Sequence, residues 1–243
     1  HIKAAARSLK DHKLRRAAPP ASAERAEVVS FPARKKEEAP RVARFLEKLG
    51  KEFVQTVEIT PPKGPDYSVQ IEAARMLHAA GIEAVDITDN PLARVRMSSL
   101  MLAHLLKRET GVEPIIHYTC RDKNILAIQS DLIGGAALGL RSILAITGDP
   151  LNIGDYPDAK AVFEVNSTGL VNIINMLNKG KDLAGNDIGS PTKWSIAVGI
   201  NPMAQDWDFE RKKIRDKIDG GANFAMTQPL YEVPAVETFV KRM

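Results

Sequence analysis

Hydrophobic and polar positions along this chain fall into blocks that switch between the two-residue period of a strand and the 3.6-residue period of a helix. Phe53-Val-Gln-Thr-Val-Glu-Ile59 reads as a first strand, broken by Pro61-Pro62, and Ser68 to Ala80 as a helix closed by Gly81. Ala84–Thr88 is a second strand with a helix over Arg94–Glu109, and Pro114–Thr119 a third with a helix over Asn124–Leu138. Ser142–Thr147 is a fourth strand, followed after a loop by a helix over Ser167–Asn178. Trp194–Ile200 and its helix Phe209–Asp219 make a fifth unit, and Asn223–Thr227 with a helix from Val233 to Met243 a sixth.

Strands that alternate with helices at this spacing argue for a parallel sheet with helical crossovers. Such a sheet closes either as an open doubly wound layer or as an eight-stranded barrel. The turn after the first strand, Glu58-Ile-Thr-Pro-Pro-Lys-Gly64, lacks the Gly-x-Gly-x-x-Gly of a dinucleotide-binding doubly wound domain. Polar residues instead recur at the C-terminal end of every strand: Glu58, Thr88, His117, Thr147 with Asp149, Asn201 and Gln228. That ring predicts an α/β fold of the (β/α)8 TIM-barrel type, whose site is assembled from many strand ends. About six βα units are present, so the chain is expected to be a piece of a longer protein.

Ahead of the barrel, Ile2, Ala5, Ala6 and Leu9 share one face of a helix over residues 1–14. Residues 15–41 are rich in Ala, Pro, Arg, Lys and Glu and read as a linker, and Val42–Leu49, closed by Gly50, as a helix leading into a domain over residues 42–243. Charge follows the same division. Residues 1–50 hold 13 Lys/Arg against 6 Asp/Glu, whereas the remainder holds 21 against 24, so the pI of 9.1 comes from the leader and the body is slightly acidic. No aromatic residues interleave with the basic ones, which argues against a nucleic-acid partner. No apolar run reaches the roughly 20 residues that span a bilayer, so no membrane partner is expected. The single cysteine, Cys120, excludes an internal disulfide and a multi-cysteine metal site, which fits a reducing, cytoplasmic setting.

The stretch Ser142-Ile-Leu-Ala-Ile-Thr-Gly-Asp-Pro150 concentrates the candidate chemistry. An apolar strand delivers Asp149 to its C-terminal rim, Gly148 lets the backbone approach a ligand closely, and Pro150 ends the strand. The same residues also make an ordinary strand-to-loop turn. Glu58, flanked by Val57 and Ile59, is expected in partly buried surroundings that suit a general acid, with a pairing to Lys63 as the plainer alternative. His117 is a hydrogen-bonding or stacking candidate, or a satisfied core histidine, and no further metal ligands accompany it. Cys120 has no base beside it, Arg121 alone is a weak case for activating it, and it reads as inert, with His78 and His104 as packing or surface residues and Lys217 as a helix-end cation. Residues 180–191 form a Gly/Asn/Asp-rich excursion expected at the bottom of the barrel.

Four motifs, Glu58-Ile-Thr-Pro-Pro62, His117-Tyr-Thr-Cys120, Ile146-Thr-Gly-Asp-Pro150 and Gly221-Ala-Asn-Phe-Ala-Met-Thr-Gln228, resemble those of methylenetetrahydrofolate reductases in order and spacing from about Phe53 to Met243. The 180–202 region is similar to the branch in which the reductase follows a homocysteine S-methyltransferase domain, and His1-Ile-Lys-Ala-Ala-Ala-Arg7 resembles the last helix of such a domain. The resemblance implies FAD at the strand ends, reduced by NADH or NADPH, and hydride transfer to 5,10-methylenetetrahydrofolate to give 5-methyltetrahydrofolate for methionine synthesis. It implies Glu58 as the acid that assists opening of the methylene bridge and Asp149 beside flavin and folate. Gln228 would bind folate, and Thr88, His117, Thr147, Gly148, Ser167 and Lys217 would contact FAD. Asn166 opens a helix whose free N–H groups could receive the cofactor's phosphates. Association with a methyltransferase domain is implied too, and a homo-oligomer is left open. Thr147 stands where the family often has Arg, and the family's contacts around Lys213 and Asp216 do not match. The methyltransferase zinc cysteines and the folate contacts of a seventh and eighth strand are not in this chain. The alternative is an FAD-binding barrel fragment with a regulatory or interdomain role.

Overall fold

The computed structural model describes residues 44–242, so the helix expected over 1–14, the linker 15–41 and the ends at Val42, Ala43 and Met243 lie outside the described residues. Six strands and seven α-helices alternate: α1 Arg44–Lys48, β1 Thr56–Ile59, α2 Ser68–Ala79, β2 Ala84–Ile87, α3 Ser99–Thr110, β3 Glu113–Thr119 and α4 Ile125–Ala137. They continue with β4 Ser142–Ile146, α5 Ser167–Asn178, β5 Ser195–Ile200, α6 Trp207–Asp219, β6 Phe224–Thr227 and α7 Val233–Arg242. All neighbouring strands are parallel and run in sequence order, β1-β2-β3-β4-β5-β6. A doubly wound sheet would reverse its order at a switch point. The chain is therefore a curled half-barrel of the TIM-barrel type.

Register assigns the two faces. Val85, Ile87, Ile116, Tyr118, Ile143, Ala145, Ile196 and Val198 point outward and pack with Ile71, Leu102, Leu106, Ile128, Leu132, Leu170 and Ile174 of the helices. Each such Leu or Ile contributes roughly 1.5–3 kcal/mol on burial. The opposite, concave face is narrower in its chemistry. At its N-terminal end Ala84, Ile115, Leu144 and Ala197 meet Phe45 of α1, which is 1% exposed and packs edge-on to Phe224 with centroids 6.0 Å apart. Five residues of helix thus seal the bottom of the sheet.

The bottom is also tied by hydrogen bonds. Asn178 at the end of α5 donates through Nδ2 to the Trp194 carbonyl (2.8 Å), while its Oδ1 accepts from Thr192 Oγ1 (2.7 Å) and Trp194 N (2.8 Å). The indole N–H of Trp194 reaches the Leu132 carbonyl (3.1 Å), and Gly135 leaves room for that ring, since a Cβ there would lie 3.1 Å from it. The 180–191 excursion folds back on itself through an antiparallel bridge between Lys181 and Asp187.

Two element starts differ from the sequence pattern by three residues or more. β1 begins at Thr56 rather than Phe53, which is 87% exposed. The helix expected from Arg94 starts at Ser99, because the amides of Arg96 and Met97 are captured first, by Asn90 Oδ1 (2.8 Å) and the Pro62 carbonyl (2.9 Å).

Candidate active site

The C-terminal ends of β2 to β6 surround a cleft of about 380 Å3, within the range that takes a small molecule or cofactor. Its floor is the concave face, which alternation leaves to Ile146 and Gly199, and its rim is the polar residue that ends each strand.

On β4, Gly148 has φ +99°, and a Cβ at this position would lie 3.0 Å from Thr119 and 3.3 Å from Arg121. Glycine is required here by both conformation and space. The turn it makes swings Asp149 toward the loop after β2, where its Oδ2 accepts the N–H of Leu92 at 2.8 Å. That loop is itself left-handed at Asn90, Leu92 and Ala93 (φ 43°, 56° and 52°). Non-glycine residues hold such angles only where their surroundings over-determine them.

Arg121 supplies much of that determination. It is 1% exposed and grips Asp122 with two bonds of 2.7 and 2.8 Å. It also donates to the carbonyls of Asp149 (3.2 Å) and Asn90 (3.3 Å). One guanidinium thus ties together the loops after β2, β3 and β4. Its bond to Asp122 raises the Arg121 pKa against the opposing effect of burial, and the Asp122 carboxyl, which burial alone would push up, is held below its ordinary value by Arg121. Asp89 completes the rim on β2, with Oδ2 accepting from the N and Oγ1 of Thr119, both at 3.0 Å.

The far wall belongs to α6. Lys217 is buried, and its Nζ donates to the Gly199 carbonyl (2.7 Å) rather than to the end of its own helix. Burial, with the nearby Lys213 ammonium, lowers its pKa from the ordinary lysine value, and Glu210 works against that. Glu210 is 4% exposed, pairs with Lys213 Nζ (2.9 Å) and accepts from Asn201 N (3.0 Å). Burial raises the Glu210 pKa, but those two partners outweigh it and leave it below the ordinary value.

Most residues singled out from the sequence meet at this cleft: Thr88, His117, Thr147, Gly148, Asp149, Ser167, Lys217 and Gln228 line it. Two do not. Asn166 caps α5 instead, its Oδ1 accepting from Gly169 N (3.0 Å), while Thr147 Oγ1 takes Ser167 N (3.2 Å). Two of the helix-end N–H groups expected to receive phosphate are therefore already occupied by the protein. Glu58 is the larger correction. It is exposed, not partly buried, because β1 is an edge of the described sheet and nothing among the described residues covers its concave side. Cys120 is buried with its thiol pushed up to about 11 by burial, in keeping with an inert side chain.

Sequence reasoning passed over Asp86, Asp89 and Glu210, weighed Arg121 only as an activator of Cys120, and treated Lys213 only as a mismatch. Two of them carried a signal. Asp86 is a charge inside the otherwise apolar Ala-Val-Asp-Ile strand, and Thr88-Asp89-Asn90-Pro91 repeats the polar, turn-forming pattern of Thr147-Gly148-Asp149-Pro150. Arg121 and Glu210 carried none, since their partners lie on loops or strands distant in sequence.

Comparison with known proteins decides the family. The methylenetetrahydrofolate reductase family model matches residues 41–243. The chain belongs to that family. It is 28% identical over 213 residues to "Probable methylenetetrahydrofolate reductase (NADPH)" of Caenorhabditis elegans, covering 83% of this chain and 29% of that protein. It is 24% identical over 188 residues to the 5,10-methylenetetrahydrofolate reductase of Pectobacterium carotovorum subsp. carotovorum, covering 76% of this chain and 57% of that one. The chain thus spans little more than half of the bacterial reductase and under a third of the nematode one. Among solved structures, a Clostridium thermocellum protein that binds two copies of 5-methyl-5,6,7,8-tetrahydrofolic acid superposes with a TM-score of 0.54 at 15% identity, over 81% of this chain and 62% of that one. A 2,3-dimethylmalate lyase superposes with a TM-score of 0.56 at 10% identity, over 83% and 65%. These two likenesses concern the fold alone. No helix among the described residues is long and apolar enough to cross a membrane, and no group of three or more His, Cys, Asp and Glu there could hold a metal ion.

Proposed function

We propose that this chain is the flavin-binding barrel of a methylenetetrahydrofolate reductase, reducing 5,10-methylenetetrahydrofolate to 5-methyltetrahydrofolate with NADH or NADPH in cytoplasmic one-carbon and methionine metabolism. The observation that carries this reading is the cleft. Eight of the ten residues that the family resemblance names line one cavity at the strand ends. The nematode relative's name includes NADPH, which makes NADPH the donor to try first.

The residues present fit FAD. Thr88 Oγ1 is buried without a hydrogen-bond partner, Gly148 leaves room for close backbone approach, and Lys213 and Lys217 put positive charge on the wall. Thr88, His117, Thr147, Gly148, Ser167 and Lys217 would hold the cofactor, which when bound supplies the two-electron carrier between NAD(P)H and folate. Asp149 would stand at the mouth with its carboxylate oriented by the Leu92 N–H, and Gln228 would hydrogen-bond the folate. The overall reaction takes up one hydride and one proton, and we assign to Glu58 the proton that opens the methylene bridge. Glu58 is open to solvent and lies outside the residues that line the cleft. The substrate or a covering segment has to supply the dry surroundings.

The exposure of Glu58 also favours a second reading, in which the barrel holds FAD without completing folate chemistry and serves a regulatory or interdomain role. The test is visible absorption of the purified protein followed by turnover. A flavin spectrum with folate-dependent NADPH oxidation supports the reductase, a flavin spectrum without it supports the second reading, and a colourless protein that takes up no added FAD overturns both. Glu58→Gln should leave reduction of the flavin by NADPH intact and abolish folate reduction, and an unchanged folate rate would remove Glu58 from the chemistry. We read residues 1–14 as the end of a homocysteine S-methyltransferase domain, 15–41 as its linker and 42–243 as the reductase barrel. An intact, active protein of 243 residues would argue against that arrangement.

A further inference from the structure

One buried carboxylate beside the cleft has no part in the scheme above. Asp86 sits in the middle of β2, and strand register puts it on the concave face, level with Glu58 on β1 and Ile115 on β3. It is 5% exposed, and its Oδ1 is shut off from solvent without a hydrogen-bond partner. A carboxylate in that position is costly unless something donates to it. Glu58 is a like charge, and Ile115 is apolar. His117, one pleat further along β3, has its Nε2 3.8 Å from Asp86 Oδ1, and that nitrogen is likewise buried and unpartnered. Two orphaned polar atoms face each other across a gap about 0.8 Å longer than an N–H···O bond. A small rotation of the imidazole closes it.

We propose that Asp86 is a positioning residue for His117, its carboxylate accepting the Nε2 proton and fixing the tautomer in which Nδ1 is the nitrogen offered to the cleft. The inference rests on the cleft being the flavin site. Nε2 is closed to solvent and faces Asp86, so Nδ1 is the nitrogen left for a ligand. In the neutral ring a proton on Nε2 makes Nδ1 a bare acceptor. The group that His117 takes from the bound molecule is therefore a donor, a hydroxyl or an N–H. Without Asp86 the ring would distribute its proton between both nitrogens and present a competing donor part of the time.

The tautomer is read directly by long-range 1H–15N correlation on the full chain, labelled with 15N-histidine, without cofactor. Spectra recorded over a pH series identify the neutral form of the ring, and H117Q identifies the His117 signals. The expected result is a protonated Nε2 in the wild type, retained in D86N, whose amide oxygen still accepts, and a mixture of tautomers in D86A. FAD titration should weaken by about tenfold in D86A and by less in D86N, taking the low end of what loss of an orienting partner costs at metal-bound histidines. A protonated Nδ1 in the wild type overturns the proposal, as does a D86A spectrum identical to wild type. If D86A does not fold, wild type and D86N decide the matter. Failure of the wild-type chain to take up FAD overturns the flavin reading, while the tautomer still decides the pairing.

Discussion

The two ends of the sheet are built from the same strands and differ in almost everything else. At the N-terminal end small and apolar side chains meet Phe45, Asn178 satisfies three backbone and side-chain groups at once, and Trp194 is both packed and hydrogen-bonded. At the C-terminal end are left-handed non-glycine residues at Asn90, Leu92 and Ala93, buried polar atoms without partners at Thr88 and His117, and a buried lysine. The bottom is arranged for stability. The top carries the left-handed strain and, at Thr88, an unmet hydrogen bond beside the cleft that a ligand can use, while the unpartnered atoms of Glu113, Arg141 and Ser142 lie at the bottom, away from the cleft.

That contrast can be tested by substitution. Phe45→Ala should have the largest effect, about 4 kcal/mol lost in chemical denaturation for removing a fully buried ring, with FAD affinity of the remaining folded molecules unchanged. A large loss of affinity would mean that the two ends are coupled. Arg121→Ala should cost about 3 kcal/mol, because Asp122 loses its partner and three loops lose their tie, and here affinity should fall together with stability. Gly148→Ala should cost about 2 kcal/mol from the positive φ and the contact with Thr119. Its mark is that cofactor affinity falls further than the change in denaturation midpoint implies.

The smallest effect concerns pH. Glu210 and Asp122 have pKa values in the folded chain below their ordinary 4.5 and 3.8. A depressed folded pKa means that the unfolded chain binds more protons in that window, so the stability is present above the ordinary value and lost as pH falls through the folded one. Denaturation midpoints should therefore decline below about pH 4.5, and Glu210→Gln should flatten that decline by about 1 kcal/mol or less. Lys217 acts in the same sense at higher pH. Its lowered pKa makes the native state hold its proton less tightly, so its contribution to stability improves as pH rises toward the ordinary lysine value.

Much of the site was legible in the chain because a parallel barrel puts the C-terminal residue of every strand on one rim, and Thr88, His117, Thr147 and Gln228 could be found by locating strand ends. Glu58 obeyed the same rule yet was misjudged in its surroundings. Flanking apolar residues show that a strand has an apolar face, not which strand will be an edge. Arg121 was discounted as a poor activator of Cys120, and its work lies with Asp122 and the loops after β2 and β4, up to 31 residues away in sequence.

Alternation and punctuation along the chain determined the six strands, their helices and the parallel order, because hydrophobic period and turn chemistry are local properties. Only the tertiary structure decided which residues share a face across neighbouring strands. It brought Asp86 against His117, hung Asp149 from the Leu92 amide and left Glu58 in the open. Those pairings depend on register and on the path of loops distant in sequence, and no local pattern encodes either.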